Sequence, residues 1–252
     1  MDISELQDIG LNKPCFIIAS GPSIHTQDIA ALDSNNVVTI AINAGIVKAP
    51  FSDYFLSDDN DVQHWSYFWK ILPKNESTLL LYKDKPWLDI DNIDKKRIVW
   101  FSHKTYYDNI QDKYYEDGLV LTKDASLPII GARNSAGSAI HFAYIMGCSP
   151  IVLLGCDCCF VEGKKYFWQF KGESSVYKRK GKVPALTFPL SHVVKYNGHM
   201  VDRCFLEFIR YWEDLSKQCE RQNIKVINAS GGALDAFESQ DYNDVIQNIL
   251  KK

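Results

Sequence analysis

The sequence predicts an α/β fold: a Rossmann-like, doubly wound, mostly parallel sheet with helices on both faces and a lid segment. Three observations carry this. Short apolar runs recur at residues 14–20, 37–42, 53–56, 78–82, 97–101, 151–154 and 225–228, the pattern of strands covered on both faces. Helical patterns fall between several of them, as a βα alternation requires. Several runs end in Gly, Ser, Asn or Asp, and ligands in open α/β sheets bind outside the carboxyl ends of the strands.

The organising stretch is 133–160, RNSAGSAIHFAYIMGCSPIVLLGCDCCF. Asn134 and Ser135 are capping residue types whose short side chains can satisfy a first-turn N–H. Ala136, Ala139, Ile140, Ala143 and Tyr144 then recur at helical spacing, and Gly147 suits the left-handed residue that closes a helix. The run at 151–154 is the strand, and Gly155-Cys156-Asp157 its exposed end. A polar helix start and a Gly/Asp strand end are therefore expected to face one crevice.

Composition bounds the rest. The chain has 252 residues, 46% of them hydrophobic, and a net charge of −3. That suffices for a full core and gives no global reason to expect nucleic acid. No run approaches the ~20 apolar residues of a membrane span. Residues 1–12 are acidic and lack the apolar stretch of a secretory signal, so a cytoplasmic location is expected. Seven cysteines, an odd number, do not read as a disulfide framework. The CDCC at 156–159 lacks paired C-x-x-C spacing and is read as reduced thiols, with no metal site.

In chain order, the strand at 14–20 runs into Ser20-Gly21-Pro22-Ser23, with a helix expected from Thr26 or Asp28. Such a turn can cradle a phosphate through its N–H groups and the helix dipole, though it is neither G-x-G-x-x-G nor a Walker loop. The next strands end in Asn43 and in Asp58-Asp59-Asn60, side chains able to read a ribose hydroxyl or a base edge. Residues 61–72 read as an aromatic helix, 106–117 as a polar, tyrosine-rich excursion, and 161–182 as a basic, aromatic loop of the kind that forms lids. These assign 1–160 and 197–252 to a nucleotide-binding domain and 161–196 to a lid or acceptor-side insertion. An amphipathic helix follows at 202–222, and Ser230-Gly231-Gly232 forms another strand-end turn open to a ligand. His199, at a helix entrance beyond the lid, is the candidate acid–base group, while His141, inside a packed helix, reads as structural.

These residues resemble a family. IIASGPSI at 17–24, Ile42-Asn43, Arg133-Asn134-Ser135-Ala136-Gly137, LLGCDCCFVEGKKYFW at 153–168, Gly198-His199 with Asp202 and Leu206-Glu207-Phe208, and NASGGALDAF at 228–237 are similar, in the same order, to the motifs of glycosyltransferase family 42, the bacterial sialyltransferases that use CMP-sialic acid. The resemblance implies a metal-independent, inverting transferase without a cofactor. His199 would be the general base, Tyr166 would contact the leaving phosphate, and Arg133 would lie near the acceptor. The donor would be held by Ser20, Gly21, Pro22, Ser23, Asn43, Asp58, Asp59, Asn60, Asn134, Ser135, Gly137, Gly155, Asp157, Ser230, Gly231 and Gly232. Ser20 stands where the family has Asn and Ala136 where it has Ser, while the first of two tyrosines falls on Cys159 or Phe160. Gly147-Cys148-Ser149-Pro150-Ile151 is closer to the motility-associated flagellin glycosyltransferases and the MptE-like 6-hydroxymethylpterin diphosphokinases. The alternatives are thus an ATP- and Mg²⁺-dependent pyrophosphate transfer to a pterin, or a non-catalytic nucleotide- or nucleic-acid-binding module. The acceptor (glycan, lipid, protein or modified nucleic acid), the donor sugar and any homo-oligomer stay open. The whole reading expects these residues along one rim of the sheet, with the His199 imidazole opposite a phosphate cradle.

Overall fold

The computed structural model of the chain describes residues 1–83, 87, 90–104, 121–131, 134–170 and 190–250. The expected excursion at 106–117 and Arg133 lie outside these residues, as does much of the expected lid. The strands β1 (Cys15–Ile18), β2 (Val38–Ile42) and β3 (Tyr54–Ser57) are followed by the short helix α1 (Ser66–Ile71), then β4 (Thr78–Tyr82) and β5 (Ile98–Phe101). A small parallel pair, β6 (His103–Lys104) and β7 (Ile129–Ile130), precedes helix α2 (Ser135–Ile145) and strand β8 (Ile151–Leu154). The chain closes with β9 (Val193–Tyr196), β10 (His199–Asp202), helix α3 (Arg203–Arg221), β11 (Val226–Asn228), β12 (Glu238–Ser239) and helix α4 (Tyr242–Leu250).

Eight strands form one sheet in the order β12-β11-β8-β1-β2-β3-β4-β5. Every neighbouring pair in it is parallel. The order runs outward from β1 in both directions, so the topological switch point lies between β1 and β8, where such sheets open a ligand crevice. Both strands are wholly buried. Alternate residues feed two cores: Cys15 and Ile17 pack with α2 and α3 on one face, and Phe16 and Ile18 with α1 and α4 on the other.

Two expectations are corrected. No α-helix follows β1; the connection is two 3₁₀ turns, Pro22–His25 and Ile29–Leu32. The apolar residues there that reach the core are Ile24, Ile29 and Leu32, too few for a helical stripe, while the spacing of 29 and 32 suits three residues per turn. His199 does not enter a helix; it opens β10, across an Asn197-Gly198 turn from β9. Asn197 and Gly198 have φ of 45° and 82°, the left-handed pair a tight hairpin requires.

Helix α2 is set as its sequence suggests. The Asn134 side chain accepts from the Gly137 N–H, and Gly147 follows the helix at φ 75°. His141, buried on α2, accepts at Nδ1 from the Ile130 N–H at 2.9 Å and meets the Thr122 carbonyl through Nε2 at 2.8 Å. It pins the 121–131 segment to the helix. Burial lowers its pKa to about 4, against a smaller opposing contribution from the Thr122 carbonyl.

Glycine is required where β1 and β8 end. A Cβ on Gly21 would collide with the Asp157 carboxylate and the Gly155 carbonyl. The Gly21 N–H donates to that carbonyl at 2.8 Å. The Asp157 carboxyl is buried and accepts from the Ser23 N–H at 3.1 Å and from Ser23 Oγ at 3.0 Å. Burial raises its pKa to about 7, with the Ser23 hydrogen bonds working the other way.

Two pH effects of opposite sign follow. The folded pKa of His141 lies below its unfolded value. Its contribution is therefore present above pH ~6.5 and lost as pH falls toward ~4, on the order of 3 kcal/mol in all. Urea unfolding of His141→Gln across this range is expected to lack that acid loss; an unchanged slope would contradict the assignment. The folded pKa of Asp157 lies above its unfolded value, so its contribution is present below pH ~4 and lost as pH rises through ~7. Asp157→Asn should gain on the wild type by ~1 kcal/mol or more between pH 5 and 8, and a gap that does not change with pH would refute it.

Candidate functional site

At the carboxyl ends of β1, β2, β3, β4 and β8 lies a cavity of about 650 Å³. The strand ends contribute Ala19, Ser20 and Gly21, then Ile42 and Asn43, Asp58 and Asp59, Tyr82, and Gly155, Cys156 and Cys158. The start of α2 adds Asn134, Ser135 and Ala136; α3 adds Phe205, Phe208 and Trp212; the segment after β8 adds Lys165 and Tyr166.

The polar wall is built around the first turn of α2. Asn134 occupies the Gly137 N–H, which leaves the Ser135 and Ala136 N–H groups as the donors of a helix end that favours negative charge. Asp58 is clamped to this turn: its N–H donates to Ser135 Oγ at 3.3 Å, and its Oδ2 accepts from Ser138 Oγ at 2.9 Å. Its carboxylate already supplies one negative charge to the helix end. Asp59 accepts from the Asp61 N–H at 2.9 Å and caps the 3₁₀ turn Asn60–His64. Asn43 is held at φ 48°, with its side-chain oxygen buried and unpartnered among the described residues.

The opposite wall is aromatic and carries the cation that sequence reasoning missed. Lys165 belongs to the basic, aromatic loop expected as a lid, and it is buried. Its ammonium lies 2.9 Å from Asp202 Oδ2, 3.6 Å from Cys204 Sγ and 4.4 Å from the centre of the Phe205 ring. Asp202 also caps α3 by accepting from the Cys204 N–H at 3.0 Å. Burial works against the Lys165 charge, but Tyr166 and Asp202 outweigh it and hold the ammonium above its ordinary pKa. Burial likewise opposes ionisation of Asp202, and its hydrogen bonds from Lys165 and Cys204 hold it below the usual carboxylate range. The segment is anchored further where Tyr166 stacks on Trp168, with ring centres 5.4 Å apart, and where Phe170 stacks on His25 at 4.3 Å.

The remaining expected residues are placed elsewhere. The Gly21-Pro22-Ser23 turn spends the N–H groups of Gly21 and Ser23 on β8 rather than offering them to the cavity. Asp157 and Gly137 face inward, and Pro22, Ser23 and Asn60 are outside the lining. Ser230 braces β8, accepting from the Cys156 N–H at 2.8 Å and donating to the Leu153 carbonyl at 3.1 Å. Gly232 lets its turn close on the backbone of Asp157, and Gly231 is exposed in the same turn. His199, half-buried on the hairpin, is outside the lining among the described residues.

Among the described residues no group of three or more His, Cys, Asp or Glu could hold a metal ion, and no helix is long and apolar enough to cross a membrane. All seven cysteines are free thiols.

No protein-family model matches the sequence, and no curated protein matches it. Among solved structures, the chain is similar to the MAf glycosyltransferase from Magnetospirillum magneticum AMB-1, with a TM-score of 0.52 and 14% sequence identity. The match covers 95% of this chain and 37% of that one. At this identity the likeness is one of fold: the described chain has the parallel α/β architecture of one region of a longer protein.

Proposed function

We propose that this chain is the donor-binding unit of a metal-independent, inverting glycosyltransferase that uses a nucleotide-activated sugar. A CMP-linked sialic acid or related nonulosonate is the donor its residues suit best. The observation that carries the reading is the cavity at the switch point, where one wall is the open N-terminus of α2 and the other an aromatic shelf. The fold it shares with a solved glycosyltransferase supports the reaction class.

Charge favours a donor with a single phosphate. Among the described lining residues, Asp58 and Asp59 face one cation, Lys165, which is already paired with Asp202. A triphosphate brings charge that is normally spread over Mg²⁺. One phosphate can be held by the Ser135 and Ala136 N–H groups, the Ser135 hydroxyl and Tyr166. Asn43 and Asp59 would then meet the hydroxyls of the nucleoside.

In the displacement, an acceptor hydroxyl attacks the anomeric carbon, and the bond from that carbon to the phosphate oxygen breaks with its electron pair on the phosphate. The helix donors and Tyr166 stabilise the departing charge. His199 takes the acceptor proton. It lies three residues along β10 from Asp202, about 10 Å by strand rise, so the acceptor docks against the β9–β10 hairpin and meets the donor at the cavity mouth. Arg133, next to the cap of α2 in sequence, belongs to the acceptor side in this reading.

Transfer from a CMP-nonulosonate is expected to persist in excess EDTA. It should fall by at least ~10²-fold in His199→Ala, the usual worth of a general base, with CMP binding retained. Near-wild-type transfer by that variant would remove His199 from the mechanism, and strict Mg²⁺ dependence would contradict the reaction class.

A further inference from the structure

We propose that the Trp212 indole N–H selects the donor sugar, by donating to the carbonyl oxygen of an N-acyl group on the ring that is transferred. The inference rests on the reading of the cavity as a sugar-nucleotide site. It goes beyond that reading because it assigns a specificity-determining residue and the substituent which that residue selects.

Trp212 lines the cavity and is only 1% exposed, and its Nε1 is buried with no hydrogen-bond partner among the described residues. A buried indole N–H usually finds an acceptor, and a buried donor left unpaired is costly. The described residues around it do not supply one. Trp212 belongs to the apolar core that α2 and α3 share, and Phe237 stands perpendicular to it with ring centres 5.5 Å apart. A ring face is a weaker acceptor than a carbonyl. The cavity is the side from which a better acceptor can reach the indole.

The place of Trp212 along α3 selects the part of the donor that meets it. In the proposed reading the phosphate sits on the first turn of α2, and the nucleoside hydroxyls lie at the ends of β2 and β3. The acceptor comes along the β9–β10 hairpin, and β10 runs directly into α3. The transferred ring, between phosphate and hairpin, therefore lies against α3. The described residues that α3 adds to the lining are all aromatic: Phe205, Phe208 and Trp212. Phe205 and Phe208 are half-buried, with ring centres 5.9 Å apart, and form an apolar shelf for the C–H faces of a sugar. Trp212 follows Phe205 by two helical turns, about 10 Å along α3.

One N–H among aromatic rings suits a neutral acceptor with an apolar remainder. A carboxylate would bring a charge with no counter-ion to spare among the described lining residues, since Lys165 is paired with Asp202. In a nonulosonate, moreover, the carboxylate is on the anomeric carbon, at the phosphate end. A hydroxyl would need an acceptor for its own proton. An acyl group gives Trp212 a carbonyl oxygen and gives the rings a methyl. In a nonulosonate such a group stands across the ring from the anomeric carbon, away from the bond that breaks.

The test follows the Trp212 indole N–H by NMR of isotope-labelled tryptophan, its resonance assigned through contacts to the Phe237 ring. The ligands are CMP, a CMP-nonulosonate that carries an acetamido group, and the analogue in which a hydroxyl replaces that group. The N–H proton is expected to move downfield with the acetamido donor only. In direct binding the wild type should prefer that donor to the hydroxyl analogue by on the order of tenfold. Trp212→Phe, which keeps a ring and loses the N–H, should lose most of this preference. A downfield shift already present with CMP alone would assign the N–H to the nucleotide and overturn the proposal, as would a preference retained in Trp212→Phe. The spectra use the wild type, so the test stands even if the variant does not fold. If no cytidine ligand binds the wild type, the transferase reading fails and this inference with it; an acetamido donor that binds with the Trp212 N–H unmoved overturns this inference alone.

Discussion

The rest of the site depends on how closely the end of β1 can approach the end of β8. The approach is possible because residue 21 has no side chain, and it is locked by Ser23, which gives two hydrogen bonds to the buried Asp157 carboxyl. From the other side, the Ser230 turn fastens to the same strand end. Two strand-end turns, after β1 and after β11, thus converge on residues 155–157 and fix them. What they leave open is the space above β1, β2 and β3, facing α2. The buried acid is a structural expense offset by the register it enforces, since a strand end that wandered by one residue would redirect every group along the rim.

Above that joint the cavity has two unlike walls. One is polar and already carries the Asp58 carboxylate at the start of α2; the other is aromatic and carries a lysine neutralised by Asp202. A site with so little unspent positive charge among its described residues recognises its ligand through oriented donors rather than net attraction. That suits a monoester phosphate and a nucleoside better than a polyphosphate. It also gives the 161–170 segment a definite task. Its first half is fastened to α3 through Lys165 and its second half to the β1 turn through Phe170 and Phe167, so it forms a wall of the cavity.

Much of the fold was legible because buried parallel strands are continuous apolar runs and their ends carry small or polar residues. The expected strands are found within one or two residues of their predicted bounds, and α2 starts on Asn134 as capping chemistry suggests. The β9–β10 hairpin was legible too: Asn197-Gly198 is a strong hairpin signal, and the imidazole beside it was read as the start of a helix instead. Other features lie beyond local pattern. Lys165 sits in a basic, aromatic run, and its partner is 37 residues away; nothing in the run marks which of its lysines is buried. Asp157 has the residue type of a ligand-facing strand end, but Gly155 at φ 67° turns the chain so that the carboxyl points back into the joint. Such a turn depends on tertiary contact with Gly21.

The central claim is that the N-terminus of α2 is the seat of a nucleotide phosphate, and thermal unfolding with CMP in wild type and Ser135→Asp tests it most directly. The added carboxylate suits a helix start and should not harm folding, but it would occupy the phosphate position. The account predicts that CMP at one hundred times its dissociation constant stabilises the wild type by ~2.7 kcal/mol and leaves the variant unmoved. Equal stabilisation of both proteins, or none of the wild type by any cytidine nucleotide, would contradict it.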